Sequence, residues 1–121
     1  MRPTMFVFAV GLWASTTGAA TTPEELNNLY HGLTFSYSRL MVYSEACKLE
    51  ARFGLKSDVL ATFAPVLDTT QVAIDLDRAF EEEKLRNGNV PCDLELTQMY
   101  SDRFSRELSE LVDAINSNLG R

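Results

Sequence analysis

Leu26, Tyr30, Leu33, Tyr37, Leu40, Ser44, Cys47 and Ala51 recur at alternating steps of four and three. That spacing lines one face of an α-helix. Thr22, Pro23 and Glu25 form a start signal: a cap, a proline at the first helical position, and an acid placed for a capping box. Gly54 is the stop the sequence offers. The pattern therefore predicts a long helix A from Thr22 to Gly54. Gly32 lies inside it and marks a kink or a close helix contact.

Three more segments follow. Ser57 caps a short helix B carrying Val59, Leu60 and Phe63. Pro65 either ends it or opens the next helix. Helix C runs from Asp68 or Thr70 to Arg86, with Val72, Leu76 and Phe80 on one face and Asn87-Gly88 as its end. Helix D starts after Pro91 with Asp93 as cap. Leu96, Tyr100, Phe104, Leu108, Leu111, Ile115 and Leu119 form a clean amphipathic stripe on it. No stretch alternates at period two for long enough to be a strand. The expected fold is an all-α bundle of three long helices and one short one.

Residues 1–20 have a different pattern. Arg2 supplies a positive start, Met5 to Trp13 is an unbroken apolar run, and Ala14 to Ala20 is small and polar. This is the order of a secretory signal, with Gly18 and Ala20 at the positions a signal peptidase reads. The run is too short to span a bilayer. Cleavage after Ala20 leaves a single domain, residues 21–121, in the periplasm or outside the cell. It removes the only Trp, so the mature protein should lack Trp fluorescence.

Export changes the meaning of Cys47 and Cys92. In an oxidising compartment two thiols pair, and two cysteines allow one intramolecular connectivity. The bridge would pin the late part of helix A to the start of helix D. Closing a loop of this length stabilises by roughly 4 kcal/mol in the chain-entropy account. There is no C-x-x-C spacing and no basic neighbour at Cys92 to activate a thiolate.

Composition narrows the chemistry further. The chain has 121 residues, 45% hydrophobic and 23% charged, with a net charge of −6 and a pI near 4.7. Losing residues 1–20 removes one base and no acid, which takes the charge to −7. Such a chain is too apolar for a wholly disordered acidic protein and has no basic patch for nucleic acid. His31 is the only histidine, and it points away from the Leu26–Leu33 stripe. No metal site, serine triad or phosphate loop can be assembled from these residues, and no cofactor is implied. A paired-carboxylate hydrolase needs one acid in an apolar setting, and none is placed on an apolar face. The expectation is a non-catalytic protein.

Two surfaces remain as candidate interaction sites. Phe35, Val42, Leu49 and Phe53, with Ala46, form a second apolar stripe opposite Leu33 on helix A, and Met41 and Tyr43 flank it. A helix apolar on two sides is either a central helix buried on both or one that meets another chain. Asp75, Glu81, Glu82 and Glu83 make the outer side of helix C acidic, suited to a solvated face or a basic partner. The first expectation is binding to another protein, or to itself as a homodimer, in an inhibitor, immunity or chaperone-like role. The alternative is a carrier of small apolar ligands in a cavity between helices.

Overall fold

The computed structural model describes residues 22–50, 52–65 and 68–119, and the signal-like segment 1–20 lies outside them. Four helices follow in order: α1 (Pro23–Ala46), α2 (Arg52–Phe63), α3 (Thr69–Asn87) and α4 (Leu94–Leu119). They form the all-α bundle that the periodicity predicts.

The caps at Thr22 and Asp93 are those the sequence signals, whereas Ser57 is no cap: α2 starts at Arg52, after the turn at Lys48, and Ser57 lies inside it. Thr22 Oγ1 accepts from Glu25 N at 3.1 Å, and Glu25 Oε1 accepts from Thr22 N at 2.9 Å. Thr22 N, and then the Thr22 hydroxyl, donate to Glu25 Oε1 and lower the carboxyl from its ordinary value. Asp68 caps α3 through Thr70 N, and Asp93 Oδ1 caps α4 through Leu96 N. Pro65 falls just past the end of α2. A Cβ at Gly88 would run into the carbonyl oxygen of Lys84, so glycine suits the end of α3.

Helix A is shorter than its pattern predicts. It stops at Ala46, Lys48 turns the chain with φ 58°, and Gly54 sits within α2. Lys48 N donates to Glu45 O at 3.0 Å and Leu49 N donates to Ser44 O at 2.9 Å. This pair of bonds is a Schellman stop, with lysine where glycine is usual. Local propensity favours continuation here, because Lys, Leu, Glu, Ala and Arg are good helix formers. The break is a tertiary requirement: the chain must reverse so that α2 can pack back on α1.

The Cys47–Cys92 disulfide forms at this break, with the Cα atoms 4.6 Å apart. It joins the end of α1 to the residues just before α4. The two helices then run antiparallel, with Tyr43 stacked on Tyr100 and Tyr37 against Phe104. On another side, Tyr30 meets Asp75 and Arg39 meets Glu83, so α1 and α3 run in the same direction. Lys56 Nζ lies 2.9 Å from Asp77 Oδ1 and ties α2 to α3.

Helix α1 is therefore the central element, packed against all three others, whereas α3 and α4 barely meet. Its Leu26, Tyr30, Leu33, Tyr37 and Leu40 are buried with Val59 and Phe63 of α2, Val72 and Leu76 of α3, and Phe104, Leu111 and Ile115 of α4. Burial pushes the Tyr37 phenol up to about 12, with the charge of Asp77 adding to it. Tyr30 is raised further, first by burial and then by the Asp75 carboxylate that accepts its proton in a hydrogen bond.

Candidate functional site

The second apolar stripe is not one surface. Phe35 and Val42 lie on α1, Leu49 lies in the turn after it, and Phe53 lies in the first turn of α2. The reversal at Lys48 separates the two halves. Val42 is 3% exposed and belongs to the interior. Phe35 is partly exposed, but two guanidinium groups cover its ring: Arg39 at 4.8 Å and Arg103 at 5.3 Å from the centroid. Cations over an aromatic face are attracted by its quadrupole. The latter half of α1 is a central helix, not an open apolar strip.

The acidic set divides as well. Glu81 and Glu82 are exposed, as expected. Glu83 is 1% exposed, which corrects its place on a solvated face and the expectation that no acid lies on an apolar one. It falls seven residues after Leu76 and eleven after Val72, in register with the buried stripe of α3. The spacing carried that signal, but an apolar reading of the stripe passes over an acid. Asp75 is half-buried, accepting from Tyr30 Oη at 2.8 Å and Gln71 Nε2 at 3.0 Å.

A buried carboxylate persists only when it is paired and hydrogen-bonded. Arg39 Nε lies 2.9 Å from Glu83 Oε2, Arg86 Nη2 3.1 Å from Oε1, and Asn87 Nδ2 donates to Oε2 at 2.7 Å. The Arg39 Nε–H is not aimed along a hydrogen bond, so its contact with Glu83 is one of charge. Arg39 Nη1 also donates to Tyr100 Oη at 3.0 Å. Arg39 thus bridges from α1 to both α3 and α4, the two helices that scarcely touch each other. Sequence reasoning passed over it because it counts as a polar separator between two apolar stripes.

A second polar cluster lies farther along the α1–α4 seam. Glu107 accepts from Ser36 Oγ and pairs with Arg103 Nε at 3.0 Å. A Cβ at Gly32 would meet Glu107 Oε2 at 3.6 Å, so the glycine marks a close contact with room for a methyl group. These carboxylates are occupied by cations and serve to register helices. His31 is exposed and edges the Tyr30 ring. No group of three metal-ligating side chains occurs among the described residues.

Family models, curated proteins and solved structures yield no match to this chain. The surface must therefore be read from its own chemistry. On α3, Ile74 and Leu85 are eleven residues apart and so lie about 20° from each other around the helix. They are 43% and 87% exposed. The exposed Arg78 and Glu81 lie between them on the same side, with exposed Asp77 and Glu82 flanking. Phe53 is 70% exposed at the start of α2, one turn before the Lys56–Asp77 pair that ties α2 to α3. The exposed sides of α2 and α3 thus carry three large apolar side chains, two of them on one side of α3 among charges of both signs.

Proposed function

We propose that this chain is an exported, disulfide-stapled helical protein that acts by binding another protein, without catalysis. The observation that carries the reading is the exposure of Leu85 and Ile74 on one side of α3, with Glu81, Glu82 and Asp77 around them. Large apolar side chains on one side of a helix suit a partner that covers them, and the charges around them, Arg78 as well as the acids, set which partner fits and how it is steered. The partner this surface suits carries apolar and basic side chains. A disulfide and the lack of any described helix long and apolar enough to cross a membrane are compatible with a periplasmic or secreted location.

The test uses the oxidised chain as bait in an extract of its own exported proteins. The double variant Ile74→Asp/Leu85→Asp should keep its helical content and monomer size and lose the captured partner. A charge-reversed Glu81→Lys/Glu82→Lys variant should slow association. Capture unchanged in both variants overturns this surface. A concentration-dependent dimer abolished by the same changes would make the partner a second copy. Recovery of bound lipid from the purified protein would favour the carrier instead.

A further inference from the structure

We propose that Asn87 is a site of spontaneous deamidation, and that its conversion to an acid unlocks the end of α3. Asn87 is the last residue of α3 and is followed by Gly88. In an Asn-Gly pair the glycine nitrogen reaches the side-chain carbon with no Cβ in the way. The Gly88 backbone nitrogen attacks Asn87 Cγ, the bond from Cγ to Nδ2 breaks, and ammonia leaves. Water then opens the cyclic imide to aspartate or isoaspartate. The balance is one amide and one water to one acid and one ammonia, with no oxidant or reductant.

The fold preserves this reactive pair for a structural reason. A Cβ at position 88 would strike the Lys84 carbonyl oxygen, so the residue after Asn87 has to stay small. Gly88 is exposed, Asn87 is half-buried, and the last turn of a helix frays most readily. The reaction proceeds through that frayed turn.

The consequence follows from the partner of the amide. Asn87 Nδ2 donates to Glu83 Oε2 at 2.7 Å, and Glu83 is buried. A carboxylate at position 87 has no proton to give and carries the same charge as Glu83. Two carboxylates at that spacing in a poorly solvated site repel each other. Arg39 and Arg86 would be contested by the new anion, and the tie from α1 to α3 would weaken. Because the chemistry does not reverse, it acts as a clock of the protein's age.

The experiment ages the full oxidised chain in warm, mildly alkaline buffer and maps it by mass spectrometry. The expected result is conversion at Asn87 ahead of Asn27, Asn28, Asn89, Asn116 and Asn118, and a lower thermal midpoint for the converted fraction than for fresh protein. Asn87→Gln should keep its midpoint on ageing, and Asn87→Asp should start from the lowered value. If Asn87→Asp does not fold, the aged wild-type fraction still decides. Asn87 remaining an amide while other asparagines convert overturns the site. A converted fraction that melts with fresh protein overturns the unlocking.

Discussion

Arg39 of α1 lies with its Nε 2.9 Å from Oε2 of Glu83, a carboxylate of α3 that is 1% exposed. The pair joins helices that are distant in sequence, and through Tyr100 the same guanidinium also holds α4. Arg39→Ala would leave Glu83 with Arg86 and Asn87 only. The expected loss is about 3 kcal/mol, the low end of the cost of removing one partner of a buried ion pair. Arg39→Met/Glu83→Leu should recover much of it, because a packed apolar pair needs no charge compensation. Urea unfolding of the singles and the double, read as a cycle, measures the coupling.

The disulfide constrains the unfolded chain across a separation of 45 residues. Reduction, or Cys47→Ser/Cys92→Ser, should lower stability by up to about 4 kcal/mol. The α1–α4 seam contains a stacked tyrosine pair and buried apolar contacts, so helicity should survive the loss. Thermal melts by circular dichroism with and without reductant test both statements. A reduced chain that is unfolded at room temperature would show that the bridge supports the fold, not only its stability.

Two backbone positions offer stabilising changes of different origin. Lys48 holds φ 58°, a conformation that costs a residue with a Cβ about 1 kcal/mol, so Lys48→Gly should raise stability by up to that amount. Gly32 lies in mid-helix with room for a methyl group against Glu107, so Gly32→Ala should gain about 0.8–1 kcal/mol from helix propensity. The two should add, since they act at separate places. A loss of stability in Gly32→Ala would mean that the Ser36–Glu107 contact cannot give way.

Alkaline stability is set by two tyrosines. Tyr37 and Tyr30 both ionise less readily in the folded chain than in the unfolded one, Tyr37 at about 12 against an ordinary 10. A raised phenol favours the fold in full below pH 10, and that contribution disappears as pH rises through the folded value. Unfolding should set in above pH 10 and steepen toward 12. Phenolate absorbance should show Tyr37 and Tyr30 titrating together with the loss of helix. Asp75→Asn should move Tyr30 down and leave Tyr37 in place.

Much of this architecture was legible locally. The steps of four and three, the caps at Thr22 and Asp93, and the end of α3 at Asn87-Gly88 depend on residues within a few positions of one another. The pairing of Cys47 with Cys92 followed from their number and from the expectation of export that the order of residues 1–20 raises. The outer acids Glu81 and Glu82 were legible because they fall off the Val72, Leu76 and Phe80 stripe of α3.

The remaining features depend on which neighbour covers each side of a helix, and a linear pattern does not contain that. The residues after Cys47 favour helix by propensity, yet the chain turns at Lys48 because α2 must fold back on α1. Val42 and Phe53 share a predicted stripe but end on different helices, one inside and one in water. Glu83 reads as one acid in a run of three. The approach of Arg39 from α1, added to Arg86 and Asn87 of its own helix, makes its burial tolerable, because a charge leaves water when counter-charges are already in place. Local patterning thus settles the helical class, the caps at Thr22 and Asp93 and the staple, because each depends on near neighbours or on a count. Packing decides where α1 stops and α2 starts, which charges are interior and which apolar side chains, Leu85 above all, remain exposed.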